Sequence, residues 1–139
     1  MNKTGEYKFT IIVPVYNEVD NIYALEKAIS EFLPKSIYKA CALFVNDGSS
    51  DGSLERIQEV CARSEDLYYI SFVKNAGLSA AIKAGFDYAC SDFVGYMDAD
   101  LQTTPEDFNL LLEGIEEKSM MIGIRANRKD TFFKRIQSK

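Results

Sequence analysis

The feature that most limits the fold of this chain is a regular alternation of short apolar segments and longer amphipathic ones. The apolar segments are rich in β-branched residues and end at turn residues, which is typical of buried strands. The segments between them repeat apolar residues three and four positions apart, which predicts helices. We therefore predict a Rossmann-like α/β fold, with a mostly parallel sheet covered by helices on both faces. The predicted strands are residues 8–16, 41–46, 68–73 and 92–97.

A predicted helix follows each of the first three strands. The first helix covers residues 20–33 and is ended by Pro34, which cannot continue it. The second begins near Leu54 and the third near Leu78. Gly85, inside the third helix, is expected to allow close packing on the sheet because it carries no side chain.

The sequence after the fourth strand predicts one more helix and one more strand. Thr104, Pro105 and Asp107 have the pattern of a helix N-terminus, with Thr104 as the cap and Asp107 closing a capping box. Residues 119–124, SMMIGI, form a short apolar run that predicts a fifth strand.

The composition is that of an ordinary globular domain. The chain has 139 residues, of which 47% are hydrophobic and 27% are charged, enough for one domain with its own core. Its apolar runs reach only about seven residues, far short of the roughly 20 that a membrane helix needs, and the polar start, MNKTGEYK, does not resemble a signal peptide. Cys41, Cys61 and Cys90 are widely spaced and are expected to be reduced core residues.

The charge is unevenly distributed along the chain. The net charge of −5 argues against a nucleic-acid binder. From Arg125 onward there are six basic residues and one acidic residue, so this segment is +5 and the remainder of the chain is −10. Such asymmetry suggests a segment that faces an anion, although charge alone favours a solvated, partly disordered tail.

Polar and glycine residues follow each of the first four predicted strands. In parallel α/β sheets, ligands bind beyond the carboxyl ends of the strands, where these segments meet. The sequence therefore predicts a ligand site at this edge of the sheet. The four segments are residues 16–18, 46–52, 74–77 and 98–100.

Asp98 and Asp100 are the chemically most specific pair at this edge. They end a buried strand, and the chain has no histidine that could pair with them. Residues two apart in an extended segment point to the same side, so both carboxylates are expected to face the site. Carboxylates that leave room for water and phosphate suit Mg²⁺ or Mn²⁺, and a diphosphate would complete the site. The alternative is that both aspartates cap the following turn.

Four ordered motifs in this sequence resemble a known family. They are IIVPVYNEVDNI, FVNDGSSDGS, the segment KNAGLSAAIKAGFDYACSDFVGYMDADLQTTPE, and GIRANRKDTFFKRIQS. Together they are similar to the inverting glycosyltransferases of family 2, which have a GT-A fold, and within them to the dolichyl- and polyprenyl-phosphate sugar transferases. The resemblance runs from about Phe9 to Ser138.

The resemblance implies a binding site for a nucleotide-sugar donor, UDP- or GDP-linked, at this edge. Asp47 is implied to accept a hydrogen bond from the base, and Asp98 to lie toward the ribose and the metal. The nucleotide-binding residues that the resemblance implies are Pro14, Tyr16, Glu18, Asp47, Lys74, Gly77 and Asp98.

The resemblance also implies the metal and acceptor residues. Asp98 and Asp100 match the DxD element that serves catalysis by holding Mg²⁺ or Mn²⁺, and Gln102 matches a glutamine that supports the metal. The residues implied to contact the diphosphate or the acceptor phosphate are Arg125, Arg135 and Ser138.

The family pattern implies a division of the chain and a cellular place. Residues 1–124 would form the nucleotide-sugar binding core, and residues 125–139 would begin the acceptor side. Similar proteins continue further, often into membrane helices, so we expect the chain to hold mainly the donor half. The full protein would act at the cytoplasmic face of a membrane on a polyprenyl phosphate.

Four other readings compete with this one. The first is a transferase that acts on a soluble or polysaccharide acceptor, and the second is a noncatalytic module that binds nucleotide sugars. The third is a phosphatase that uses DxD, which expects Thr or Val where this chain has Gln102. The fourth is a basic module that contacts membranes, which would bind anionic vesicles without any need for Asp98 or Asp100.

Overall fold

A computed structural model of the chain describes residues 3–102, 104–114, 120–124 and 133–138, the last two segments by their backbone. These residues form one six-stranded sheet with helices on both of its faces. The strands are β1 (Phe9–Val15), β2 (Ala40–Asn46), β3 (Leu67–Ser71), β4 (Phe93–Tyr96), β5 (Met120–Ile124) and β6 (Phe133–Ser138). The helices are α1 (Ile22–Phe32), α2 (Ser53–Ala62), α3 (Leu78–Tyr88) and α4 (Asp107–Leu112).

The first four strands are parallel, and the spatial order of the sheet is β3-β2-β1-β4-β6-β5. All seven residues of β1 and all seven of β2 are buried. Strands covered on both faces read as continuous apolar runs rather than alternating ones, which explains why these two were prominent in the sequence. The α/β fold class and the helices on both faces are confirmed.

The two faces of the sheet carry separate parts of the core. Helices α1, α2 and α4 pack on one face and α3 packs on the other. The predicted close approach at Gly85 is confirmed, since a Cβ there would lie 2.5 Å from Cγ2 of Ile12. Among the described residues, no helix has the length and apolar character required to cross a membrane.

The sheet differs from the prediction beyond β4. Strand β6 lies between β4 and β5 and is antiparallel to both. Its residues belong to the basic segment, so the reading of that segment as a solvated tail is wrong for residues 133–138. A basic strand has no apolar pattern, and its pairing with β4 depends on contacts across the fold.

Two local predictions are also wrong. Helix α4 begins at Asp107 with Glu106, rather than Thr104, as its N-cap residue, and backbone turns from Thr104 and Pro105 lead into it. The capping box between Thr104 and Asp107 stays a prediction. Cys90 is exposed rather than part of the core, since it follows the end of α3 in the connection to β4.

Candidate nucleotide-sugar site

A cleft of about 420 Å³ lies at the carboxyl ends of the parallel strands. The loops after β1, β2, β3 and β4 all contribute to it, as expected for the ligand edge of such a sheet. Seven of the residues proposed from the sequence are brought together here: Pro14, Tyr16, Glu18, Asp47, Gly77, Asp98 and Asp100.

Other proposed residues lie outside this cleft. Lys74 and Gln102 are exposed and do not line it. The backbone of Ser138 pairs with Phe93, at the amino end of β4 and away from the cleft, whereas Arg135 pairs with Ile122 of β5. Arg125 lies outside the described residues. The roles assigned to these five residues stay predictions.

Four more residues line the cleft without having been assigned an individual role from the sequence. They are Val15, Asn75, Leu78 and Ala99. Asn75 and Ala99 belong to the segments that the strand-end rule placed at this edge, whereas Leu78 was missed. Leu78 is 57% exposed at the start of α3, and an apolar helix residue gives no sequence signal for a ligand site.

Asp98 and Asp100 meet the cleft from a turn rather than from an extended segment. Strand β4 ends at Tyr96, and Leu101 has a φ of 64° in the left-handed region. The expectation of an extended segment across Asp98 and Asp100 is therefore corrected, although both aspartates line the same cleft. The turn-capping alternative holds for one atom, since the Gln102 N–H donates to Asp100 Oδ1 at 3.1 Å.

The carboxylate of Asp98 is half-buried and has no stabilising partner among the described residues. It forms no hydrogen bond or ion pair there. Burial and, to a smaller extent, the charge of Asp100 raise the pKa of Asp98. Asp98 thus lacks hydrogen-bond donors among the described residues and lies beside a second carboxylate, so a bound cation would stabilise its negative charge.

The donor set fits a hard divalent ion that is shared with a ligand. Asp98 and Asp100 offer oxygen atoms, the ligands that Mg²⁺ and Mn²⁺ prefer. In the described part of the chain, no cluster of three or more Asp, Glu, Cys or His residues could enclose a metal. Two protein carboxylates with substrate phosphates is a usual arrangement for Mg²⁺.

Asp47 has a very different environment in the same cleft. It is 3% exposed, and its carboxylate accepts hydrogen bonds from three groups of the loop after β3. The Ala76 N–H donates to Oδ1 at 2.7 Å, and the Gly77 N–H and the Asn75 side chain donate to Oδ2 at 3.0 Å each. The carboxylate that the resemblance assigns to the base thus also organises the loop beside it.

The remainder of the loop after β2 is joined to the loop after β1. The Glu18 N–H donates to Ser53 Oγ at 3.0 Å, and the Val19 N–H donates to Asp51 Oδ2 at 3.2 Å. Ser53 in turn donates to Asp51 through its N–H and its hydroxyl. Gly52 is the N-cap residue of α2, so Asp51 does not cap that helix, but it accepts from the first residue of α2 and fixes the segment that carries Glu18.

Comparison with known proteins agrees with this geometry. Residues 10–139 match the family model described as glycosyl transferase family 2. An undecaprenyl-phosphate 4-deoxy-4-formamido-L-arabinose transferase of Aeromonas hydrophila is 34% identical over 141 aligned positions, covering all of this chain and 43% of that protein. The chain thus spans about two fifths of the length of the curated relatives that it matches.

Solved glycosyltransferases share the fold. A mannosyltransferase of Pyrobaculum calidifontis, solved with GDP-Man and Mn²⁺, has a TM-score of 0.62 at 24% identity, covering 73% of this chain and 30% of its own. TarS of S. aureus, residues 1–349 with UDP-GlcNAc, has a TM-score of 0.65 at 24% identity, covering 83% of this chain and 33% of its own. At this identity the likeness concerns the GT-A fold. With the family match over nearly its whole length, the chain belongs to glycosyltransferase family 2.

Proposed function

We propose that the protein transfers a sugar from a nucleotide-diphosphate sugar to a polyprenyl phosphate, with a divalent metal ion and with inversion at the anomeric carbon. The observation that carries the proposal is the cleft in which Asp98 and Asp100 face the loops after β1, β2 and β3. The half-buried carboxylate of Asp98 has no hydrogen-bond donor among the described residues, so its charge is unfavourable without a ligand. A bound cation would stabilise that charge.

The donor would lie along the cleft with its diphosphate toward Asp98 and Asp100. The segment Pro14–Glu18 and the Asn75–Leu78 segment would border the nucleoside. A divalent ion, when bound, neutralises the charge that develops on the leaving nucleoside diphosphate. The solved structures of similar fold contain GDP-Man with Mn²⁺ in one case and UDP-GlcNAc in the other. We favour a UDP-linked donor for this chain.

The acceptor would be a phosphate at a membrane surface. The 34% identical relative is named an undecaprenyl-phosphate transferase, and this chain ends in a segment of charge +5. Arg125 and Arg135 would hold the phosphate, since a guanidinium can bind it by two hydrogen bonds. A phosphate is already anionic at neutral pH, so inversion by a single displacement would need no strong base, in keeping with a chain that lacks histidine. The full protein would then act at the cytoplasmic face of a membrane.

Donor binding tests the first half of this proposal. The melting temperature of the folded chain would be measured with UDP- and GDP-linked sugars, each with and without Mn²⁺. A ligand at 100 times its dissociation constant adds about 2.7 kcal/mol, which raises the melting temperature by several degrees. Failure of both nucleotide classes to shift the melting temperature with Mn²⁺ present would reject the donor site.

Transfer by the full-length protein tests the second half. Radiolabelled sugar should appear on undecaprenyl phosphate, and the anomer of the product should be opposite to that of the donor. Label on a free glycan would instead support a soluble or polysaccharide acceptor. Donor binding without transfer to any acceptor would support a noncatalytic nucleotide-sugar module.

A further inference from the structure

The structure assigns to Asp47 the role of a positioning residue, which fixes the Asn75–Gly77 wall of the cleft before any nucleotide binds. This inference deepens the proposed function and changes the emphasis given by the family resemblance, in which the same carboxylate receives the base. It is based on hydrogen bonds, burial and a backbone contact between the loops after β2 and β3.

The first step concerns the number of donors that Asp47 satisfies. Two backbone N–H groups and one amide side chain, all from three consecutive residues, donate to its two oxygens. The Asn75 side chain also donates to the backbone carbonyl of Asp47 at 3.1 Å. A carboxylate has about four acceptor positions, so most of its capacity is used within the chain.

The second step concerns Gly48, the next residue. Its φ is +67°, and a Cβ there would lie 2.2 Å from the backbone nitrogen of Asn75 and 2.2 Å from the carbonyl carbon of Lys74. The two loops therefore touch backbone to backbone, and only glycine permits this approach. Contact at Gly48 and hydrogen bonds at Asp47 restrain the same segment from adjacent positions.

The third step connects the segment to the ligand site. Asn75, Gly77 and Leu78 line the cleft, and Gly77 is the N-cap residue of the 11-residue helix α3. A wall that is fixed in advance lowers the ordering cost of binding. Loss of the Asp47 hydrogen bonds should therefore weaken donor binding without changing the groups that act on the leaving diphosphate.

Amide hydrogen exchange of the nucleotide-free chain tests the inference directly. Asp47→Asn keeps one acceptor oxygen and places an NH₂ group opposite the other donors. We expect exchange at Ala76 or Gly77 to become roughly 10- to 100-fold faster, as for a lost hydrogen bond to a charged group. Asp92→Asn is the matched control, because it makes the same charge change before β4, at the opposite end of the sheet, and should leave both amides unchanged.

Kinetics of the full-length transferase supply the functional readout. Asp47→Asn should raise the donor KM roughly tenfold and leave kcat within about twofold, since only binding depends on the wall. A higher KM with unchanged exchange at Ala76 and Gly77 would show that Asp47 acts as a direct ligand and would overturn the inference. So would faster exchange with an unchanged KM.

A measurement on the unsubstituted chain covers the case in which Asp47→Asn does not fold. Scalar coupling across the hydrogen bonds, from the amide nitrogens of Ala76 and Gly77 to the carboxyl carbon of Asp47, should be detectable by NMR without nucleotide. Absence of both couplings in the folded chain would overturn the inference. Because this result and the exchange rates need no ligand, they are independent of whether the proposed transferase activity is correct.

Discussion

The loops after β2 and β4 each bring two aspartates to the same edge of the sheet, but they treat them in opposite ways. Asp47 and Asp51, after β2, accept three hydrogen bonds each. Asp98 and Asp100, after β4, together accept one within the described residues. The first pair joins neighbouring loops, whereas the second pair leaves most of its acceptor capacity unused within the described residues.

The pKa directions follow the same contrast. Burial alone would raise the pKa of Asp51, but hydrogen bonds from Ser53 and Val19 outweigh it and the pKa is lowered. Burial and the neighbouring Asp100 raise the pKa of Asp98, and no donor opposes them. Folding thus stabilises Asp51 as an anion and destabilises Asp98 as one. Functional sites are where such uncompensated charge is expected.

The strongest test of the contacts made by the loop after β2 is Gly48→Ala. A left-handed φ and a Cβ placed 2.2 Å from backbone atoms should lower the free energy of unfolding by about 3 kcal/mol. Gly52→Ala is the matched control: its φ is +94°, but its Cβ would meet nothing closer than 3.6 Å, so we expect about 1 kcal/mol. Urea denaturation measures both, and equal losses would contradict the backbone contact.

The strongest test of the ligand site proposed for the loop after β4 is Asp100→Asn. Loss of even a supporting partner of a metal ligand costs about 10- to 100-fold in affinity, so nucleotide binding in Mn²⁺ should weaken at least tenfold. The melting temperature without ligand should change little, because Asp100 is exposed. Titration calorimetry with UDP and Mn²⁺ measures the effect, with Asp92→Asn as the charge-matched control. Unchanged affinity in Asp100→Asn would remove the metal assignment.

The sequence was sufficient for the part of the fold whose signal is local. Strands β1 and β2 are buried along their whole length, so their apolar runs were visible, and Gly85 was correctly expected to pack on the sheet. Strand β6 was not predicted, because its own residues are largely polar and basic, and its pairing with β4 joins residues about 40 positions apart.

The site shows the same boundary between local and nonlocal information. The strand-end rule placed Asp47, Asp98 and Asp100 at one edge, and the structure brings them to one cleft. The sequence does not show whether the carboxylate of an aspartate accepts hydrogen bonds within the chain, because the donors to Asp47 come from a loop about 30 residues later. That distinction supports the positioning role proposed for Asp47 and the ligand role proposed for the pair after β4.

A smaller effect is expected from Ser53→Ala. The Ser53 side chain is fully buried, accepts from the Glu18 N–H and donates to Asp51 at 2.6 Å. Loss of both bonds should cost about 1.5 kcal/mol of folding stability. Ser50→Ala is the control, since its exposed hydroxyl lies 3.5 Å from its acceptor and should contribute within about 0.5 kcal/mol. If both variants unfold at the same urea concentration, the loop is not held by Ser53.

The smallest expected effect has the opposite sign. Asp98→Asn removes a charge that folding destabilises, so the chain without ligand should become slightly more stable at pH 7. Because the pKa of Asp98 is raised on folding, its penalty is fully present above the folded-state pKa. The penalty disappears as the pH falls below the ordinary value of 3.8.

Asp51→Asn supplies the comparison that makes this small effect decisive. The pKa of Asp51 is lowered on folding, so its stabilisation is fully present above the ordinary value of 3.8 and is lost only as the pH falls through its folded-state pKa. Melting temperatures from pH 7 to pH 4 should therefore show a gain for Asp98→Asn that shrinks, and a loss for Asp51→Asn that persists. A loss of stability in Asp98→Asn at pH 7 would mean that this carboxylate has a partner in the fold, and the contrast between the two loops would fail.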